Sequence, residues 1–100
     1  MTPKVYFTNF CTTGGETLPQ KLARLLLSAG MGQIDFKDKY VAIKIHFGEL
    51  GNMAYLRPGY ARVVVDLIKD LGGKPFLTDA NTMYVGSRKN ALDHLETAYL

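Results

Sequence analysis

The central stretch of the chain, residues 41–49, reads VAIKIHFGE. β-Branched and aromatic residues occupy every second position from Val41 to Phe47, and this period of two predicts a β-strand with one apolar face. The opposite face carries Lys44 and His46. Because a strand between two helical segments is covered on both faces, two polar side chains on one face need a functional explanation. We therefore expect a binding site at the end of this strand.

A strand and a helix are predicted before the central strand. Residues 4–10 are rich in aromatic and β-forming side chains and predict a first strand. Thr17 begins a helix with a capping box, because its hydroxyl and the Gln20 side chain can each bond to a backbone amide at the helix start. Apolar side chains at spacings of three and four form the buried stripe of this helix: Leu18, Leu22, Leu25, Leu26 and Ala29.

A helix, a strand and a further helix are predicted after the central strand. The second helix begins at Pro58 and ends at Gly72 and Gly73, and residues 75–79 form a third strand. Ser87 can cap the third helix. Apolar residues mark the inward faces: Tyr60, Val63, Val64, Leu67, Ile68 and Leu71 on the second helix, and Leu92, Leu95 and Tyr99 on the third.

Strands and helices therefore alternate three times, in the order βαβαβα. This alternation predicts an α/β fold with an open parallel sheet of at least three strands and right-handed crossovers, in which residues 1–100 form a single domain. The third helix has no glycine or proline to end it, and sheets of this kind usually have about five or six strands. We expect the chain to be the N-terminal part of a longer α/β protein, or its sheet edge to be covered by the rest of that chain or by another copy.

Composition and charge exclude several classes of protein. Of the 100 residues, 47% are hydrophobic and 21% are charged, as in ordinary soluble domains. No apolar run approaches the roughly 18 residues of a membrane helix, and the single cysteine, Cys11, suits a reducing compartment. The net charge of +3 arises from basic residues scattered among acidic ones, which argues against nucleic-acid binding. We expect a cytoplasmic protein that binds neither nucleic acid nor membrane.

The three strand-to-helix loops of such a fold meet at the carboxyl edge of the sheet, where open α/β folds bind ligands. The candidate ligand-binding residues are Thr12, Thr13, Gly14 and Gly15 in the first loop, Asn52 in the second, and Asn81 and Arg88 in the third. The first loop can wrap an anion with its amides, or it can be only a glycine turn before a capped helix. Arg88, in a first helical turn, is poorly placed for the helix dipole and suits an anion or an acidic partner. Cys11 is interpreted as a small buried residue rather than a reactive thiolate.

Four side chains at this edge are candidates for catalysis: Lys44, His46, Glu49 and Asp79. His46 and Glu49 can form an acid–base pair, bind a divalent metal together with Asp79, or simply be hydrogen-bonded loop residues. Lys44 either protects an edge strand or binds an anionic ligand beside an acidic residue. Asp79 ends its strand, where it can present a carboxylate to a ligand or cap the following turn. His94 is interpreted as a surface residue.

Several of these segments resemble one protein family. The segments are VAIK at 41–44, the start of the second helix at Pro58, VDLIKDLGGKP at 65–75 and TD at 78–79. Together they resemble the opening half of domain of unknown function family 362. The resemblance covers about residues 4–100 and points to Lys44 and Asp79 as family-type positions. Many relatives have proline and asparagine where this chain has Ile45 and His46, so the HFGE signature looks like that of a subgroup.

The resemblance also implies an iron–sulfur association, because a ferredoxin-like module with two cysteine-rich motifs often accompanies this domain. One cysteine cannot hold a 4Fe–4S cluster, which needs about four, so the cluster module is expected downstream and is absent from this segment. The predicted function is that of an iron–sulfur-associated domain that binds a metal or small anionic ligand at the sheet edge in a redox role. Two alternatives remain open: a metal-dependent or acid–base enzyme without a cluster, and a non-catalytic binding or assembly module.

Overall fold

The structure, a computed structural model, describes residues 2–46, 50–51, 53–83 and 85–99. These residues form α1 (Leu18–Ser28), β1 (Tyr40–Lys44), α2 (Pro58–Asp70), β2 (Lys74–Thr78) and α3 (Ala91–Tyr99), with a 3-10 turn at Met31–Gln33. The fold is therefore mixed α/β, as the sequence predicts. None of the helices in the described ranges has the length and apolar character needed to cross a membrane.

β1 and β2 pair in parallel, in a register that runs from Tyr40 opposite Lys74 to Lys44 opposite Thr78. The backbone N–H of Ile45 extends this ladder by donating to the Thr78 carbonyl at 2.9 Å. Parallel neighbours need a crossover connection, which α2 supplies. The carboxyl ends of both strands therefore lie side by side, as expected for an α/β sheet.

The predicted central and third strands are present as β1 and β2, whereas residues 4–10 form no strand. No ladder of backbone hydrogen bonds joins residues 4–10 to the sheet within the described ranges. The end of this segment is held instead by the ammonium group of Lys21, which donates to the carbonyls of Asn9 and Cys11. The arrangement of three alternating strands and helices is therefore not confirmed. The last part of the predicted central strand, residues 47–49, lies outside the described residues.

The starts of α1 and α2 and the end of α2 follow the sequence patterns. The Thr17–Gln20 capping box is confirmed, with Thr17 N–H donating to Gln20 Oε1 at 2.8 Å and Gln20 N–H donating to Thr17 Oγ1 at 3.3 Å. Pro58 is the first residue of α2. Gly72 takes a left-handed φ of 88° just beyond α2, a conformation that glycine adopts without strain.

α1 packs against α2, and α2 packs against β2. Ile68 of α2 is the most deeply buried large side chain in the described residues, at 2% exposed. The face of β1 that carries Val41 and Ile43 is half-buried, whereas Ala42 and Lys44 on the opposite face are exposed. The apolar face of the central strand is thus the more buried one, and Lys44 emerges on the other face.

α3 is turned relative to its predicted orientation. His94 and Thr97 are buried, at 4% and 6% exposed. The residues predicted to point inward are exposed: Leu92, Leu95 and Tyr99. Polar contacts fix this orientation, because Thr97 Oγ1 donates to the Ser87 carbonyl at 2.9 Å and His94 reaches the loop that follows β2. The apolar stripe was therefore the wrong guide to the buried face of this helix.

The predicted cap of α3 is also wrong. The helix begins at Ala91, four residues after Ser87. Asn90 caps it instead, since its side-chain Oδ1 accepts the backbone N–H of Asp93 at 2.9 Å. The side-chain amide of Asn90 also donates to the Asp93 carboxylate at 2.6 Å, which adds a second contact between the cap residue and the first turn.

Candidate functional site

Asp79 is the residue on which the candidate site is built. It directly follows β2, and its side chain is 2% exposed. The backbone N–H of Ala80 donates to Asp79 Oδ1 at 2.7 Å. The carboxylate therefore caps the turn after the strand, which is one of the two roles that the sequence left open for this residue.

Lys44 brings a positive charge to this carboxylate. Its Nζ lies 2.8 Å from Asp79 Oδ1. The parallel register places Lys44, the last residue of β1, opposite Thr78, so the two strand ends bring the ion pair together. The Lys44 side chain is 63% exposed while the carboxylate is buried. The pair therefore presents its cation to solvent and keeps its anion inside.

His94 is the third member of the cluster, and its interpretation as a surface residue is wrong. Its Nε2 lies 3.2 Å from Asp79 Oδ2, and its Nδ1 lies 3.2 Å from Asn81 Oδ1. The contact with Asp79 falls short of hydrogen-bond geometry and is chiefly electrostatic. The signal for His94 in the sequence is its spacing of three from Ala91 and from Thr97, which forms a second stripe on α3. The stronger leucine stripe obscured it.

Both ring nitrogens of His94 face oxygen atoms, Nδ1 that of the Asn81 side chain and Nε2 that of the Asp79 carboxylate. Which nitrogen donates depends on the tautomer of the ring.

Asp79 is ionised at neutral pH. Burial raises the pKa of its carboxyl group, but the hydrogen bond from Lys44, the amide of Ala80 and the charges of Lys44 and His94 act in the opposite direction. The net result is a pKa below the ordinary value of 3.8. The site therefore contains a buried negative charge that is compensated by Lys44.

His46 lies in a different part of the sheet end. It lies two residues after the end of β1 and lines a cavity of about 310 Å³ together with Tyr55, Arg62 and Leu77, on the side of α2. The cavity of about 320 Å³ beside Asp79 is lined by residues of α3 instead. Glu49 and Asn52, the other candidates from the second loop, lie outside the described residues.

The first loop is separate from the cluster. Residues 12–15 are exposed, and the Thr13 carbonyl accepts the Glu16 N–H at 3.2 Å to close a turn. No hydrogen bond or ion pair between this loop and the Lys44–Asp79–His94 cluster is present in the described residues. Cys11 is exposed, so its interpretation as a buried residue is wrong. Arg88 is half-buried, with its backbone carbonyl bonded to the N–H of Thr82 at 2.8 Å.

The predicted metal ligands are His46, Glu49 and Asp79. Within the ranges that the structure describes, no group of three or more His, Cys, Asp or Glu side chains is arranged to hold a metal ion. Glu49 is outside those ranges, and the two carboxylate oxygens of Asp79 lie beside the Lys44 ammonium group and the His94 ring. Cys11 is the single thiol in the sequence, so this chain does not itself supply the ligands of a 4Fe–4S cluster.

Comparison with protein families adds one match. Residues 41–100 match the family described as Domain of unknown function (DUF362). The chain belongs to DUF362. The matched region contains Lys44, Asp79 and His94, and it is shorter at the N-terminal side than the resemblance seen in the sequence. No curated protein and no solved structure matches the chain.

Proposed function

We propose that this DUF362 domain binds a small anionic ligand at the carboxyl edge of its parallel sheet, through Lys44. The observation that supports this function is the position of the ammonium group, which a buried carboxylate holds at the end of β1. Open α/β folds bind ligands at this edge. The ligand would meet an exposed cation at a fixed place rather than a mobile surface lysine.

The chemistry of the pair leaves capacity for a ligand. An ammonium group has three N–H donors, and Asp79 accepts one of them within the described residues. Because the carboxylate is 2% exposed, an incoming anion would meet the lysine without lying against the acidic oxygens. The Ala80 amide donates to the same carboxylate oxygen as Lys44, and His94 lies beside the other oxygen. These two contacts would keep Lys44 in position when the ligand leaves.

A wider proposal follows from the resemblance. The domain would be part of a larger cytoplasmic α/β protein with a βαβαβα sheet, and a ferredoxin-like module elsewhere would carry a 4Fe–4S cluster and give the protein a redox role. The single cysteine of this chain is consistent with a cluster held elsewhere. Iron and sulfide analysis of the longer protein is the measurement that decides this part.

An acid–base enzyme is the second candidate function, and one contact favours it. A carboxylate 3.2 Å from an imidazole nitrogen is an arrangement that orients a histidine for proton transfer. A cavity of about 320 Å³ beside Asp79, Asn81 and His94 gives a substrate access to this pair. The same cluster would then both bind an anionic group and exchange a proton with it.

The anion site is tested by titrating inorganic phosphate into the protein and following backbone amide shifts by NMR. We expect shifts near Lys44 and near Asp79, and we expect Lys44→Gln to abolish them. Lys39→Gln is the matched control, because it removes a lysine at the other end of the same strand that is also paired with an aspartate. Equal losses in both variants would indicate general charge attraction, and unchanged shifts in Lys44→Gln would refute the proposed site.

A further inference from the structure

The outer edge of β1 is the edge that faces away from β2. Ile45 donates its N–H to Thr78 across the ladder, so the odd-numbered residues of this stretch direct their backbone groups to β2. Successive residues in a strand point to opposite edges, so Tyr40, Ala42 and Lys44 direct their N–H and C=O groups outward. In the described residues β1 pairs with β2 alone.

A cavity of about 420 Å³ is lined by residues of both β1 and the N-terminal segment. Ile43, Lys44 and Ile45 line it from β1 and the residue after it, and Thr8, Asn9 and Phe10 line it from the segment. Leucine residues of α1 and apolar residues of α2 complete its walls. An additional strand at this edge would pair with the outward-directed backbone groups of β1, and its apolar side chains would fill the cavity.

Residues 4–10 have the composition of a strand but the exposure of a detached segment. Val5 is 90% exposed, Phe7 is 83% exposed and Phe10 is 81% exposed. Large apolar side chains of this kind favour burial in a sheet, and β-branched and aromatic residues suit the pleated surface. The exposed segment and the open edge therefore complement each other.

Lys21 anchors the end of this segment next to the edge. Lys21 is buried, at 8% exposed. Its Nζ donates to the Asn9 carbonyl at 2.9 Å, to Asn9 Oδ1 at 3.0 Å and to the Cys11 carbonyl. All three ammonium donors are thereby used on Asn9, near the end of the segment, and on Cys11, which follows the segment. The segment is thus tied to α1 at this end, next to the cavity that it shares with β1.

We propose that residues 4–10 pair in parallel with the outer edge of β1, with Thr8 opposite Ile43, so that the strand order is residues 4–10, then β1, then β2. α1 then becomes the crossover between two adjacent parallel strands, which is right-handed in nearly all proteins. This inference rests on the βαβαβα sheet proposed under the function of the domain, and it specifies the edge and the register at which the third strand of that sheet pairs. It also brings residues 12–15 to the carboxyl edge that holds Lys44, where their amides join the anion site.

Amide hydrogen exchange of the full chain tests this pairing. In the two-stranded sheet, the amides of Val41 and Ile43 bond to β2 and exchange slowly, whereas those of Ala42 and Lys44 exchange fast. With residues 4–10 in place, we expect Ala42 and Lys44 to be protected as strongly as their neighbours. Alternating protection along β1 would overturn the proposal.

Two proline variants and a dilution series complete the test. Thr8→Pro removes a strand N–H in the centre of the contact, and we expect it to abolish protection at Ala42 and Lys44 while that at Val41 and Ile43 remains. Thr2→Pro, outside the segment, should leave all four unchanged. Protection of Ala42 that survives Thr8→Pro, or that falls on dilution because a second copy supplies the strand, contradicts the proposed intramolecular pairing. If the pairing is contradicted but phosphate still binds at Lys44, the anion site proposed above does not depend on the pairing of residues 4–10.

Discussion

The two ends of β1 each carry a lysine–aspartate ion pair, and the two pairs differ in burial. At the amino end, Lys39 Nζ lies 3.3 Å from Asp35, and the side chains are 61% and 75% exposed. At the carboxyl end, Lys44 Nζ lies 2.8 Å from Asp79, whose side chain is 2% exposed. The residue types are the same at both ends. What separates a surface pair from a candidate site is the environment of the acid.

This difference in burial changes the energetics. An exposed pair is screened by water and contributes about 0–1 kcal/mol. A buried carboxylate loses its hydration and is stable only when other groups satisfy it. Asp79 has the amide of Ala80, the ammonium group of Lys44 and the imidazole of His94 around it. The carboxyl-end pair is therefore coupled to three elements of the fold, β1, β2 and α3, whereas the amino-end pair joins residues four apart in sequence.

The largest expected effect comes from removing the buried acid. Asp79→Ala eliminates the acceptor of two hydrogen bonds and leaves His94 facing an apolar group, so we expect the free energy of unfolding to fall by about 2–3 kcal/mol. Asp35→Ala should change it by less than about 0.5 kcal/mol. Urea denaturation of both variants measures the contrast. Similar losses at the two positions would show that burial does not distinguish the pairs.

Removing the lysines gives a smaller contrast. Lys44→Ala leaves the Asp79 carboxylate buried with only Ala80 and His94 to satisfy it, and we expect a loss of about 1–2 kcal/mol. Lys39→Ala leaves an aspartate that water solvates, and its effect should stay within about 0.5 kcal/mol. Urea denaturation again supplies the comparison. A Lys44→Ala variant as stable as the wild type would mean that the lysine contributes nothing to holding the acid.

The sequence was sufficient to predict one part of the carboxyl-end cluster. Lys44 and Asp79 each stand at the end of a parallel strand, and topology alone brings such ends together. His94 was not predictable in this way, because its contact depends on how α3 is rotated about its axis. The leucine stripe of α3 indicated the opposite rotation, and only the polar contacts of Thr97 and His94 select the observed one.

The fold was predictable to a similar extent. Local signals, namely the capping box at Thr17 and the proline at residue 58, predict the starts of α1 and α2 correctly, whereas the predicted cap of α3 at Ser87 is wrong. The pairing of residues 4–10 was not determined by local signals, because a strand needs a partner that the sequence does not name. The aromatic and β-branched composition of the segment predicts that it can form a strand. The outer edge of β1 is the pairing partner that we propose for it.

The smallest expected effect concerns pH. The pKa of Asp79 is below its ordinary value of 3.8 in the folded state, so the unfolded state takes up a proton first as the pH falls. The contribution of the carboxylate to stability is therefore complete above about pH 5 and is lost as the pH falls through the folded-state pKa. Asp79→Asn retains an acceptor for the Ala80 amide but has no charge to lose.

Unfolding free energies measured in urea between about pH 3 and pH 6 test this linkage. We expect the wild type to exceed Asp79→Asn in stability near pH 6 and the gap to close as the pH falls, while Asp35→Asn stays close to the wild type throughout. A gap that widens in acid would require the Asp79 pKa to be raised by folding. In that case burial would raise the pKa of Asp79 by more than Lys44 lowers it. The carboxylate would then lose its charge more readily, and the contrast with the amino-end pair depends on that charge.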